Sequence, residues 1–168
     1  MAKKILIAYA SKYGSTGEIA ERIGEVIRRS RTNVDVVDVK QVEDLTPYPA
    51  VVLGSALYMG QWHKEAAKFL QDNEAALAQK KIWLFASGPS GKGDPKKLAE
   101  GMYMPKSLQP VVERIKPQDF AVFHGNVDPG KINFLEKWIL RQVKAETGDF
   151  RDWQAIEKWA AAIAKAVE

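Results

Sequence analysis

Ile5-Leu6-Ile7-Ala8-Tyr9-Ala10-Ser11-Lys12-Tyr13-Gly14-Ser15-Thr16 passes directly from an apolar run to a hydroxyl-rich turn. The run has the length and composition of a strand covered on both faces. Gly14 allows the chain to turn tightly, and a helix starting just beyond it would aim its unpaired N–H groups at the spot flanked by the Ser11, Ser15 and Thr16 hydroxyls. A strand, an anion cradle and a helix are therefore expected in that order.

The rest of the chain repeats the alternation. Glu18 to Arg29 places Ile19, Ile23, Val26 and Ile27 on one helical face, with charged residues on the others. Val34 to Val39 reads as a second strand, Tyr48 to Ser55 contains a third, and Lys81 to Ser87 and Phe120 to His124 read as a fourth and fifth. Helices are expected from about His63 to Gln79, from Pro105 to Ile115 and from Asp152 to Val167, with Asp152 as the cap of the last. This pattern predicts an α/β three-layer sandwich whose parallel sheet carries helices on both faces. Its ligand would lie beyond the carboxyl ends of the strands. No repeat, low-complexity tract or linker interrupts the chain, so residues 1–168 are expected to form a single domain.

Composition removes several chemistries. The 168 residues contain no cysteine, which excludes disulfides, thiolate nucleophiles and cysteine-held metal or iron–sulfur centres. Redox chemistry would have to come from a bound cofactor. The net charge of +4 comes from 25 basic residues scattered among 21 acidic ones, so no nucleic-acid partner is expected. With no long apolar span and no cleavage-type leader, the expectation is a cytoplasmic protein, with any membrane association limited to its surface. Gly14-Ser15-Thr16-Gly17 lacks the G-x-G-x-x-G spacing of dinucleotide sites. Gly88-Pro89-Ser90-Gly91-Lys92-Gly93 fails the nucleotide-triphosphate loop, because its first glycine is too close and Gly93 stands where Ser or Thr is required. The strand ends carry Ser11, Ser55 and Ser87 in place of the carboxylates of a magnesium-holding receiver domain.

Three segments together carry a family resemblance: Tyr9-Ala10-Ser11-Lys12-Tyr13-Gly14-Ser15-Thr16, Gly54-Ser55-Ala56-Leu57-Tyr58-Met59-Gly60 and Ser87-Gly88-Pro89-Ser90-Gly91. They resemble the three flavin-binding loops of flavodoxins, which implies a five-stranded sheet of order 2-1-3-4-5 and FMN as cofactor. The resemblance implies that Ser11, Tyr13, Gly14, Ser15 and Thr16 hold the phosphate, with Lys12 adding a cation. It places Ala56, Leu57, Tyr58, Met59 and Gly60, together with Ser87, Gly88, Pro89, Ser90 and Gly91, around the flavin ring. Leu57, Tyr58, Met59 and Trp62 are the expected apolar walls. The Met59-Gly60 peptide is the one whose flip would tune the flavin potentials.

A partly helical insert from about 126 to 150, with the closing helix, is similar to that of the flavodoxin-fold protoporphyrinogen dehydrogenases, which pass electrons to a quinone. Two uses stay open. One is an oxidoreductase of that type, with a porphyrinogen substrate and a quinone acceptor. The other is a carrier of single electrons to an electron-transfer protein. On the insert, Ile132, Leu135, Ile139 and Val143 form the expected packing stripe. Phe134 and Trp138 stand off that stripe beside Lys131, Lys137, Arg141 and Lys144, either buried under a neighbouring loop or a dimer contact, or serving as a lid, a porphyrin or quinone wall or a membrane contact. His63 and His124 are read as hydrogen-bonded structural residues, and no catalytic side chain is assigned.

Overall fold

Alternate residues of the first strand face opposite helical layers. The computed structural model describes residues 4–89, 93–99, 103–128, 130–142 and 148–168. In β1 (Lys4–Ala10), Ile5 and Ile7 belong to one buried cluster and Leu6 and Ala8 to another. Both faces of the strand are covered, which is why its sequence does not alternate between apolar and polar. The first cluster lies under α1 (Ser15–Arg28), supplied by Ile19, Ile23 and Ile27, and under α7 (Trp153–Val167), supplied by Ile156, Ala160 and Ile163. The second lies under α2 (Lys64–Asp72), α3 (Glu74–Leu77) and α5 (Gln109–Ile115), through Leu70, Leu77, Val111 and Ile115.

The chain adds β2 (Asn33–Asp38) to one side of β1, followed by a 3-10 turn at Val39–Gln41, and then crosses to the other side with β3 (Ala50–Tyr58). The short β4 (Gln61–Trp62) folds back on β3, and β5 (Lys81–Ser87) and β6 (Asp119–Phe123) extend the sheet. The order β2-β1-β3-β5-β6 is the expected 2-1-3-4-5 once the antiparallel β4 is counted apart, and the five long strands are parallel. The direction of winding reverses between β1 and β3, so a crevice opens at their carboxyl ends. Over that end lie α4 (Pro95–Leu98) and an excursion beginning at β7 (Asn126–Val127), running through α6 (Phe134–Gln142) and returning at β8 (Gly148–Asp149). Antiparallel pairing of β7 with β8 closes its base.

Several boundaries differ from the sequence expectation for identifiable reasons. The helix expected over 63–79 breaks at Asn73, whose side-chain Nδ2 donates to the Phe69 carbonyl at 2.9 Å and competes with the helical ladder. Residues 105–108 form a turn, closed by Leu108 N–H to Pro105 O at 2.9 Å, so α5 begins at Gln109. Strand β3 continues past Ser55 to Tyr58 because Leu57 and Tyr58 pair with Trp62 and Gln61. The closing helix keeps its expected cap, with Asp152 Oδ1 accepting from Ala155 N–H at 3.1 Å, and buries a stripe of Ile156, Ala160, Ile163 and Val167. Trp159 sits beside the stripe, edge-on to Phe85 and Phe123, and donates to Asp119 Oδ2 at 2.8 Å.

Ion pairs fasten α7 and its lead-in to α1. Arg22 meets Glu157 at 2.8 Å. Arg151, nearly buried against the Trp153 ring, reaches Glu18 at 2.7 Å and Asp149 at 2.8 Å. Ile23→Ala should lower the unfolding free energy by roughly 2–5 kcal/mol, through lost burial plus a cavity. Asp152→Ala should cost roughly 0.5–2 kcal/mol, the value of one cap. Urea titrations compare the two, and equal losses would contradict the layer packing described.

Candidate flavin site

Three loops and two excursions meet around one cavity of about 520 Å³ at the carboxyl ends of the strands, within the roughly 300–1,000 Å³ range of small-ligand clefts. Ser11, Lys12, Tyr13, Ser15 and Thr16 line it from the loop after β1, Ala56 to Gly60 from the end of β3, and Ser87, Gly88 and Pro89 from the loop after β5. Gly14 lies within the first loop. The expected residues thus come together, except Ser90 and Gly91, which lie outside the described residues.

The first loop has the features of an anion cradle. Gly14 takes φ 91°, the left-handed region that favours glycine, and hands the chain to α1. Its N–H donates to Ser11 Oγ at 2.9 Å. The Ser15 hydroxyl is shielded from solvent and has no partner among the described residues, which marks a place for an acceptor from outside the chain. Thr16 Oγ1 and Ser87 Oγ lie 2.9 Å apart, both buried, so one hydroxyl of the pair donates to the other and one hydrogen remains for a ligand. Glu18 N–H donates to the Gly14 carbonyl at 3.1 Å, and the N–H groups of Ser15, Thr16 and Gly17, which precede the first intrahelical bond, complete the set.

The second loop is a hairpin between β3 and β4. Met59 (φ 52°) and Gly60 (φ 74°) occupy its corner, the sign pattern of a type I′ turn, for which a methionine is an uncommon choice. Ser55 holds the base, donating to Ala56 O and accepting from His63 N–H, each at 2.9 Å. Tyr58 and Met59 are exposed at the rim. Trp62 is not among the cavity walls. It is buried, tilted against Phe120, and donates Nε1–H to Tyr103 O at 2.9 Å. Pairing with Leu57 turns Trp62 inward, a consequence of the hairpin that its apolar character alone does not reveal.

Bare backbone shapes the third loop. A Cβ on Gly88 would lie 2.2 Å from the Leu57 carbonyl oxygen, and one on Gly125 would lie 2.8 Å from Gly88 Cα. His124, buried behind them, has Nδ1 3.1 Å from Pro89 O and Nε2 2.7 Å from Gly93 O. It spans both ends of the loop, the structural role expected of it. His63 likewise caps α2, its Nδ1 accepting from Glu65 N–H at 3.2 Å.

The insert corrects the expected packing stripe. Leu135 is 62% exposed, as Phe134 and Trp138 are exposed, whereas Ile132, Glu136 and Leu140 line the cavity. Val143 lies outside the described residues. Glu136 was absent from the sequence reading. Its carboxylate accepts from the Tyr13 hydroxyl and lies 3.1 Å from Lys12 Nζ. Burial acts to raise the Glu136 pKa, but the Tyr13 and Lys12 contacts and the Asn133-capped backbone hold it below the usual carboxylate range. Glu136 pushes the Lys12 ammonium upward, while burial and then Glu136 push the Tyr13 phenol upward. Lys12 also lies over the Tyr13 and Tyr58 rings, at 5.1 and 5.8 Å. Glu136 is the lone acid among Lys131, Lys137 and Arg141, a pattern that could have flagged it in the sequence.

Because the neighbours of Gly88 and Gly125 are backbone atoms that cannot swing aside, Gly88→Ala and Gly125→Ala should each destabilise the protein by roughly 1–3 kcal/mol, the usual cost of overpacking. Urea unfolding measures this, and losses below about 0.3 kcal/mol would contradict the close approach.

Known structures share this architecture. A flavodoxin from the domain Archaea aligns over 98% of both chains with 20% identity and a TM-score of 0.64. Oxidised Flavodoxin 1 from Bacillus cereus aligns over 99% of this chain and 100% of that one, with 19% identity and a TM-score of 0.64. The rubredoxin oxygen:oxidoreductase of Desulfovibrio gigas matches 98% of this chain with 36% of its own length, at 18% identity and a TM-score of 0.63. At such identities the likeness speaks for the fold. No curated protein sequence matches the chain. The family model described as flavodoxin domain matches residues 6–154, and the chain belongs to the flavodoxin family, with FMN as its cofactor.

Proposed function

We propose that this protein is an FMN-dependent oxidoreductase of the protoporphyrinogen dehydrogenase type, delivering electrons from a bulky reduced substrate to a quinone. The observation that carries the reading is the insert: it lies against the flavin cavity and adds Ile132, ahead of α6, and Leu140, on α6, to a wall already supplied by Leu57, Tyr58, Met59 and Leu98. Such an apolar margin suits a bulky apolar substrate beside the flavin.

In this reading Ser11, Tyr13, Gly14, Ser15 and Thr16 hold the phosphate with hydroxyls and backbone N–H groups. The free Ser15 hydroxyl and the left-handed Gly14 fit that group. Ala56 to Gly60 and Ser87 to Pro89, continued by Ser90 and Gly91, flank the ring. The bare Gly88 backbone gives it close access. When bound, FMN supplies the redox chemistry, taking two electrons from the donor and passing them to the acceptor. The chain binds and orients the flavin, and its apolar walls restrict water at the reacting edge.

The outward face of α6 suits a membrane-dissolved acceptor. Phe134 is 84% exposed and Trp138 53%, beside Leu135 and the cations Lys131, Lys137 and Arg141. Apolar and cationic groups on one helix face are the pattern of contact with an anionic bilayer surface. Among the described residues no helix is long and apolar enough to cross a membrane. A second reading, a carrier of single electrons to a partner protein, draws support from the exposure of Tyr58 and Met59 at the rim of the cavity, where such a partner could approach.

Anaerobic mixing of the FMN-loaded protein with protoporphyrinogen, then with a menaquinone analogue in anionic vesicles, tests the choice. Bleaching of the flavin by the first and recovery with the second is expected. A Phe134→Ser/Trp138→Ser variant should keep FMN and lose most of the vesicle-dependent recovery. Failure of protoporphyrinogen to bleach the flavin would leave the carrier role, and a double variant with full recovery would remove the membrane contact.

A further inference from the structure

Helix α6 is inverted for its composition. Its apolar Phe134, Leu135 and Trp138 face solvent, while Glu136, 6% exposed, is its one buried side chain among the described residues. Asn133 Oδ1 accepts from the Glu136 N–H at 2.8 Å, which caps the helix and fixes the register that turns position 136 inward. In an ordinary capping box the glutamate reaches back to the cap residue. Here its carboxylate leaves the helix. Oε1 takes the Tyr13 hydroxyl, and Oε2 has the Lys12 ammonium 3.1 Å away without a well-aligned hydrogen bond, so that attraction is Coulombic. Lys12 and Tyr13 immediately precede Gly14, Ser15 and Thr16, and Lys12 is the sole cation of the segment Ser11 to Thr16.

We propose that Glu136 is a resident counter-anion of the phosphate loop, competing with the flavin phosphate for Lys12 and thereby setting how strongly the site prefers a phosphorylated flavin over an unphosphorylated one. The inference rests on the reading of Ser11 to Thr16 as the phosphate site. A phosphate monoester enters carrying nearly two negative charges, and two anions sharing one half-exposed ammonium repel one another. Riboflavin has no phosphate and does not meet that repulsion. Glu136 therefore lowers the affinity for FMN selectively, while in the empty site it satisfies Lys12 and Tyr13 and holds α6 against the loop.

The test uses the full-length apoprotein and quenching of flavin fluorescence. Dissociation constants for FMN and riboflavin are measured for the wild type, Glu136→Gln, Lys12→Met and the double variant. Glu136→Gln is expected to tighten FMN by about fivefold or more, from relief of like-charge repulsion, and to move riboflavin by less than about twofold. In the Lys12→Met background the gain should vanish, because the cation being contested is gone. Glu136→Met is a second neutral replacement that carries the same test if Glu136→Gln does not fold. A neutral variant that weakens FMN, leaves it unchanged, or shifts both flavins together makes Glu136 a strut for α6 and overturns the inference. Equal affinity of the wild type for FMN and riboflavin would overturn the phosphate-site reading itself. Strong wild-type preference for FMN with no response to Glu136→Gln would overturn only the role of Glu136.

Discussion

Burial of the parallel sheet on both faces is the constraint from which the rest follows. Ile5, Leu6, Ile7, Val51, Val52, Leu53 and Leu84 are all inaccessible to solvent, so the middles of β1, β3 and β5 have no room for polar chemistry. Polar groups are driven to the strand ends, and the reversal of winding between β1 and β3 leaves the carboxyl ends uncovered. The serines at those ends do not act alike. Ser55 is consumed in holding the β3–β4 hairpin, Ser87 is paired with Thr16, and Ser11 meets the Gly14 N–H. Among the described residues, Ser15 alone of the loop hydroxyls has its oxygen buried without a partner, and the cradle centres on it.

Backbone proximity matters as much as side chains in shaping the cavity. The Leu57 carbonyl, Gly88 and Gly125 lie so close that only glycine fits at the last two positions, and His124 then spans Pro89 and Gly93. This stack joins the second loop, the third loop and the start of the insert. The return of the insert is secured separately by Arg151, which reaches Asp149 on β8 and Glu18 at the start of α1. Asp149 is held below the ordinary carboxylate range chiefly by the Arg151 hydrogen bond. The insert is therefore fastened at its base on both sides, while the free face of α6 remains apolar and cationic.

The strands, the two helical layers and the first loop are legible because each depends on local pattern: apolar runs for strands, a 3.6-residue period for α1 and α7, and Gly14 among hydroxyls for the turn, whereas the strand order is legible only through the resemblance of the three loops to those of flavodoxins. The features that escaped depend on partners far away in sequence. Trp62 looked like a ring wall until its pairing with Leu57 turned it inward. Leu135 stands on the expected packing stripe yet faces solvent, and Glu136, which the helical period leaves unassigned, is buried. The inward turn of Glu136 brings it to Lys12 and Tyr13, more than a hundred residues earlier in the chain. Hydropathy alone cannot report such a distant counter-charge.

The central claim is that the loops after β1, β3 and β5 form one flavin site. Amide chemical-shift mapping of the isotopically labelled apoprotein during addition of FMN tests it most directly. The account predicts the largest shifts at residues 11–16, 56–60 and 87–89, saturating together at one equivalent. Saturating shifts centred on the opposite cleft, lined by Asp35, Asp44 and Tyr48, or no shift at Gly14 to Thr16, would contradict it.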